Sequence, residues 1–458
     1  MSEFLNNLSS VIWGPATIAL LLLSGVILSF KTGFIQIRGF KRAFCLTLKN
    51  DSGSGEVSAF AALCTSLSAT LGTGNIIGVA VAVYTGGPGA LFWMLISAFF
   101  GMATKYSEGL LAIKYRKVDS AGNVIGGPFY YIEQAFKNTF KGNRIGRILA
   151  IAFSIFTVLA ALLGIGTITQ SNSIYLAAQK LMGESDINIS FAVSLLLAVF
   201  SGLIIFGGAK LIAKVSEIIV PFMAAFYLLF SLIIIFFNIE NFLPSLKLII
   251  TSAFDTSSLL GAATGITLRE VVKIGISRGI FSNESGLGSA PIAAASAKTD
   301  SAVNGGLVTM TGTFIDTFVV CLLTGISIIT TNSHIPSADD GFAVTSRAFE
   351  TGLPFKGNIC VIILCICLIF FAFTTIIGWN FYAEKCLYYL AGKDDRKLIF
   401  LFRLLYILAI SVGPFMNANA SLIIADIFNG LMCIPNITAL LILSNTVKHE
   451  TKLSINRC

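Results

Sequence analysis

The sequence predicts an all-α polytopic membrane protein: about eleven transmembrane helices, arranged as a 5+5 inverted repeat with one extra N-terminal helix and two broken helices. Three observations carry this expectation. The 458 residues are 55% hydrophobic and only 12% charged, whereas a soluble domain carries about a quarter charged residues. The apolar blocks run to about 20 residues or more, which suits helices, and the ten-residue alternation of an outer-membrane barrel is absent. Two of the blocks are interrupted by glycines and small polar residues, at Gly72-Thr73-Gly74-Asn75 and across Gly279 to Pro291. Glycine is roughly 1 kcal/mol worse than alanine in a helix, and lipid cannot satisfy the backbone groups that a broken helix frees. Such segments persist at membrane depth only where protein buries them or a site uses them.

In chain order, the span 11–30 lacks a small-residue cleavage site behind it and reads as retained. A basic stretch follows at 34–56 with Arg38, Lys41, Arg42 and Lys49. The spans of the first half are 57–83, 88–115, 145–181, 190–207 and 211–237; those of the second are 265–297, 302–330, 356–390, 398–413 and 420–443. Setting the first helix aside leaves five spans led by the Gly72 break and five led by the Gly286 break. The expected division is therefore 1–56 for the extra helix and basic loop, 57–240 and 241–446 for the two repeats, and 447–458 for a tail. Basic residues gather at 38–49, 114–147, 210–214, 393–397 and 448–457, while the connections at 85–87, 183–186 and 339–340 are acidic or uncharged. The positive-inside rule then gives an outer N-terminus and a cytoplasmic C-terminus. Residues 340–349 form a short amphipathic pattern in an outer loop, which reads either as an idle surface helix or as a lid.

The formal charge of +8 comes with no basic stripe interleaved with aromatics, so nucleic acid is excluded as a partner and lipid is the expected surroundings. The nine cysteines lie mostly in apolar runs without metal spacing and read as small buried hydrophobes. With two histidines and no H-E-x-x-H or G-x-S-x-G, an enzyme is not expected. An ion channel would want a repeated filter motif, which is missing.

The chemistry of a break follows from helix ends. A half-helix ending near Leu71 turns its unpaired carbonyls toward the midplane and attracts a cation; one beginning near Gly74 presents amides suited to a carboxylate. Two glycine-interrupted spans at corresponding positions of two halves are the sequence mark of an alternating-access transporter. Thr374 and Thr375 lie near the centre of the 356–390 span, where hydroxyls and carbonyls make a hard-oxygen site for sodium. They could equally bond their own i−4 carbonyls. Gln170 is an uncharged polar group deep in a span. Asp316 and Glu284 are intramembrane carboxylates, which could bind a cation, carry a proton, or pair with Arg269, Lys273 or Arg278. Phe281 and Trp379 would narrow a cavity to small solutes.

At these residues the sequence resembles a known family. The run A-T-L-G-T-G-N-I-I-G-V-A, the loop Gly126-Gly-Pro-Phe-Tyr-Tyr-Ile-Glu133 and the stretch Arg278-Gly-Ile-Phe-Ser-Asn-Glu-Ser-Gly-Leu-Gly-Ser-Ala-Pro291 look like the alanine/glycine:cation symporters, also called sodium:alanine symporters. The similarity covers nearly the whole chain. It implies a fold of the bacterial leucine transporter type and uptake of alanine or glycine, with D-alanine accepted in some members. Sodium would be the coupling ion, or a proton in its place, with no organic cofactor and a prokaryotic inner-membrane location. Carried over, Thr73, Gly74 and Asn75 would meet the substrate carboxylate, and Gln170, Phe281, Asn283 and Trp379 would line the remainder of the pocket. Sodium would sit among carbonyls around Ser68 and Leu71 and the hydroxyls of Thr374 and Thr375. More distant relatives of the fold use an asparagine for a second sodium on the helix that here carries Asp316.

Overall fold

The computed structural model describes residues 2–48, 53–118, 124–137, 142–183, 187–255, 267–335, 341–355, 358–391, 395–416 and 418–455. The first half runs α1 (Ser2–Ile12), α2 (Pro15–Thr32), α3 (Ile35–Arg38), α4 (Phe40–Thr47), α5 (Ala59–Thr70), a π-helical turn (Gly74–Gly78), α6 (Val79–Gly86) and α7 (Gly89–Lys114). A two-stranded hairpin, β1 (Lys117–Val118) with β2 (Val124–Ile125), leads into α8 (Pro128–Phe136), α9 (Gly142–Leu163), α10 (Ile168–Met182), α11 (Ile187–Phe206) and α12 (Gly208–Phe237). After α13 (Phe242–Ser252), the second half comprises α14 (Leu268–Asn283), α15 (Ala290–Ala294), α16 (Ala302–Thr313), a π-helical stretch (Phe314–Cys321) and α17 (Leu322–Thr330). It ends with α18 (Gly341–Gly352), α19 (Ile359–Ala391), α20 (Arg396–Val412), α21 (Ala418–Ile442) and α22 (Ser444–Ile455).

The starts of the key helices follow from their caps. Ser58 accepts from the Ala61 N–H at the start of α5, Ser301 does the same for α16, and Thr267 with Glu270 forms a reciprocal capping box on α14. Both expected breaks are present. α5 and α6 meet at 56° across Leu71–Thr73. α14 ends at Glu284, whose φ is +54°, and Gly286 and Gly288 follow at +89° and +85°. Left-handed backbone at three of five successive positions cannot continue a helix.

Among the described residues, eight helices are long and apolar enough to cross a membrane, nine if the bent α5/α6 pair counts as one. Two of the expected spans fall outside that set, one because α7 carries ionisable residues and the other because its helix is interrupted, and protein buries both. α7 is buried without interruption from Gly101 to Ile113 and carries Lys105 and Glu108 there; α14 and α15 form the interrupted second segment. By contrast, α11 turns Phe191, Leu195, Val199 and Leu203 outward, as a lipid-facing helix must.

The span expected as continuous over 145–181 is also interrupted. α9 stops at Leu163 and α10 starts at Ile168, with the Thr167 hydroxyl donating to Leu162 O at 2.7 Å. A Cβ on Gly164 would lie 2.8 Å from Ala425 Cα, and one on Gly166 2.7 Å from Trp379 Cβ. The glycines allow α19 and α21 to press against the break. Within an apolar run these two positions gave no sign of it. The acidic connection at 184–186, Asp339 and Asp340 lie outside the described residues.

Candidate functional site

The first break is built against α19. At Leu71 the backbone leaves the helix (φ −77°, ψ 85°), which turns its carbonyl out of the helical ladder. The Thr375 hydroxyl sits 3.5 Å from Leu71 O and 2.9 Å from Phe371 O. The Thr374 hydroxyl lies 3.0 Å from Phe371 O and 3.1 Å from Phe370 O, with Met223 Sδ at 3.4 Å on its other side. Two hydroxyls therefore converge on one carbonyl, and Thr375 alone also reaches across to the break. Phe371 O is the i−4 carbonyl of Thr375, so the helix-internal bond left open by the sequence is made at 2.9 Å, beside the longer 3.5 Å approach to Leu71 O. A Cβ on Gly72 would stand 2.6 Å from Thr375 Oγ1, so only glycine permits this approach. Ser68 uses its hydroxyl on Thr65 O at 2.8 Å and packs against Gly378, where an added Cβ would meet its Oγ at 2.6 Å. These neutral oxygens suit a hard monovalent cation. No group of three or more His, Cys, Asp or Glu is placed to hold a metal among the described residues.

The second break closes on the first. A Cβ on Gly74 would find Ser282 Cα at 3.8 Å and Phe281 Cδ1 at 3.9 Å, ordinary contact distances that set the second break directly against the Gly74 backbone. Thr73 is buried beside it. Asn75 is committed elsewhere: its Oδ1 accepts from the Gly72 N–H at 3.0 Å and its Nδ2 donates to Asp316 Oδ1 at 2.7 Å. Asp316 also accepts from Ser282 Oγ at 3.0 Å and Thr317 Oγ1 at 2.8 Å. One buried carboxylate thus ties the first break, through Asn75, to the second, through Ser282. Asn283 is likewise engaged, donating to Thr317 Oγ1 at 3.1 Å and accepting from the Ser285 N–H at 3.0 Å.

Other candidates hold unspent hydrogen-bonding capacity. Gln170 Oε1, Trp379 Nε1 and Glu284 Oε1 are buried without a protein partner. The Trp379 indole faces the Glu284 carboxylate but not in hydrogen-bonding geometry. Buried polar atoms in native proteins are almost always paired, so these three are where a ligand or water would complete the site. Glu284 Oε2 is held by the Ser289 hydroxyl.

The cation facing these carboxylates is one that sequence reasoning did not single out. Arg269, Lys273 and Arg278 form no ion pair with Asp316 or Glu284; Lys105 of α7 interacts electrostatically with Glu108, Glu284 and Asp316. Gly101, Lys105 and Glu108 share one face of α7, at i, i+4 and i+7. Gly101 lies under Ser285, and Glu108 accepts from the Gly288 N–H at 3.1 Å and from Asn436 Nδ2 at 2.6 Å. Asn436 in turn donates to Gly286 O at 2.9 Å. The freed backbone of the second break is therefore satisfied by α7 and α21. The signal was present in the sequence as a lysine and a glutamate inside an apolar span.

On the α6 arm of the first break, α18 packs rather than floats. Phe342, Val344 and Phe349 are buried, the Thr345 hydroxyl donates to Ile76 O at 3.3 Å, and a Cβ on Gly341 would collide with Ile77 O at 2.6 Å.

Two broken helices facing each other, one bracing a hydroxyl-bearing helix, define a secondary active transporter with the leucine-transporter-type architecture. The solved structure of MhsT in complex with L-phenylalanine superposes with a TM-score of 0.53 at 14% identity, over 88% of this chain and 99% of that one. The sequence profile described as the sodium:alanine symporter family matches residues 1–455, and the chain belongs to that family. An uncharacterized transporter of Haemophilus influenzae is 48% identical over 453 residues, 99% of this chain and 96% of the relative. The sodium/alanine symporter AgcS of Methanococcus maripaludis is 44% identical over 460 residues, 98% of this chain and 96% of the relative.

Proposed function

We propose that this protein takes up small neutral amino acids, alanine and glycine, by sodium-coupled symport, with residues 57–240 and 241–446 exposing the site alternately to the two sides. The observation that carries the reading is the convergence of Leu71 O, Phe371 O and the Thr375 hydroxyl at the first break, with the half-buried Gly74 backbone three residues on. The amides from Thr73 and Gly74 receive the substrate carboxylate. Gln170, Phe281 and Trp379 enclose its other end, and D-alanine fits a pocket that grips only backbone and a methyl group. Asn75 and Asn283 contribute by holding the two breaks rather than by side-chain contact.

Sodium draws the carbonyl end of α5 and the hydroxyls of α19 together and so orders the adjacent amides. Both ligands then favour one state, and each raises the affinity for the other. Asp316 is the position for a second coupling cation or a proton, because its oxygens touch both breaks. The orientation is N-terminus outside and C-terminus cytoplasmic, in a prokaryotic inner membrane.

Uptake of labelled alanine and glycine into proteoliposomes tests the assignment, with an inward sodium gradient against potassium and against a proton gradient. Accumulation under sodium alone is expected. Accumulation under protons alone would transfer the coupling to Asp316 and Glu284, and no accumulation under either would remove the function.

A further inference from the structure

Beyond the site, both broken helices are joined again at one end of the molecule, where their flanking segments meet. Residues 54–57, which enter α5, run alongside residues 296–299, which leave α15. Val57 pairs with Ala297 in a parallel bridge, Glu56 N–H donates to Ser296 O at 2.9 Å, Lys298 N–H to Val57 O at 2.8 Å, and Thr299 N–H to Ser54 O at 3.4 Å. Beside this ladder stands Arg116, at the end of α7. Its Nη1 donates to Ala295 O at 2.8 Å and Ala297 O at 2.7 Å; its Nη2 donates to Thr299 O at 2.6 Å and to the carbonyl of Ser54. One guanidinium spans the two strands, using its planar fork to reach four carbonyls.

The two sides of that grip are unequal. Three of the carbonyls belong to the strand leaving α15, whereas the strand entering α5 offers one carbonyl and the Ser54 hydroxyl, 3.2 Å from Nη2. If the entry strand swung away, Arg116 would keep most of its partners. A second clamp holds the same entry strand from α19: Lys385 Nζ donates to Glu56 Oε2 at 2.8 Å and to Val124 O at 3.0 Å, while Val124 N–H donates to Glu56 Oε1 at 2.8 Å. Asp300 fastens it further by accepting from the Ser54 N–H and hydroxyl, which hold its carboxyl below the usual range. Behind the ladder lies a small cavity lined by Ala59, Ala62, Ser66, Ala294, Ala297 and Gly305. Small side chains make much of its wall, and Leu63, Asn304 and Val308 complete it.

We propose that Arg116 is the positioning residue that decides when this end of the translocation path opens. It locks the entry of the first broken helix onto the exit of the second, and opening proceeds by release of Ser54 while Ala295, Ala297 and Thr299 retain the guanidinium. The inference rests on the alternating-access reading above. Gly55 supplies an independent way to disturb the same lock. Its φ is +159°, and a Cβ there would stand 2.5 Å from Ala297 C and O, so Gly55→Ala wedges the strands apart with no change of charge.

The test places a cysteine at the cavity wall, Ala62→Cys, in a protein whose exposed Cys45 and C-terminal Cys458 have been replaced by serine. Labelling by a membrane-impermeant maleimide is then measured in vesicles of both orientations. Arg116→Ala and Gly55→Ala are each expected to speed labelling about tenfold from the side on which Arg116 lies, and to leave the opposite side unchanged. Arg116→Lys, with one point charge in place of the fork, should fall between. Apparent KM for alanine from the opposite side should rise with it. A lock that only holds the fold together would lower protein yield and thermal stability without one-sided labelling.

Unchanged labelling in both Arg116→Ala and Gly55→Ala would overturn the proposal, as would equal acceleration from both sides. If the parent protein does not transport alanine, the functional assignment fails. The labelling result still decides the lock.

Discussion

At the scale of single residues, the two adjacent threonines of α19 divide their work. Thr375 alone reaches Leu71 O, whereas Thr374 turns between the carbonyls of its own helix and Met223. Thr375→Val keeps the side-chain shape and removes that oxygen, and it should raise the sodium concentration for half-maximal alanine uptake about tenfold or more, because a charged ligand loses a direct contact. Thr374→Val should shift it less. Uptake titrated with sodium for both variants checks the order; an unshifted Thr375→Val would remove the residue from the site. Asp316 has a different kind of importance. Asp316→Ala strands the buried donors of Asn75, Ser282 and Thr317, each at about 1–3 kcal/mol, and a markedly lower unfolding temperature in detergent is expected. Asp316→Asn preserves the volume and should recover part of the stability. If it also recovers uptake with the same sodium dependence, Asp316 is a clasp and carries no coupling ion.

At the scale of elements, α5 and α19 run together from the break to the lock. Thr375 meets Gly72, Gly378 meets Ser68 and Ala69, and Lys385 meets Glu56. Membrane helices approach this closely only where one of them offers a small residue. Gly378→Ala places a methyl group 2.8 Å from the Ala69 backbone nitrogen, and neither helix can yield locally. The substitution should cost roughly 1–3 kcal/mol by overpacking and, by pushing Thr375 off Leu71, weaken apparent sodium affinity. A sodium titration of Gly378→Ala reads the second effect separately from yield. The same elements show what could be anticipated from sequence. Gly72-Thr73-Gly74 and the run around Gly286 contain glycine, serine, threonine and asparagine together, so both breaks were legible. Gly164 and Gly166 sit among leucine and isoleucine, and that break became visible only once Trp379 and Ala425 were seen packed into the space.

At the scale of the whole molecule, the basic connections and the lock formed by Arg116 and Lys385 lie at the ends that the charge pattern assigns to the cytoplasm. A reporter fused after Cys458 should accordingly be active only if it functions inside the cell, and one placed before Ser2 only if it functions outside; the reverse result would invert the orientation. Sequence by itself determined the membrane class and the two principal breaks and marked the paired threonines of the proposed cation site, because apolar length, glycine placement and paired hydroxyls are local properties of the chain. Tertiary structure decided the rest. Whether Asn75 faces a solute or Asp316, which cation attends the carboxylates, and which groups gather around Arg116 and Lys385 all depend on residues far apart in sequence. Buried polar atoms must find partners wherever the packing brings them, and no local pattern records which helix will supply them.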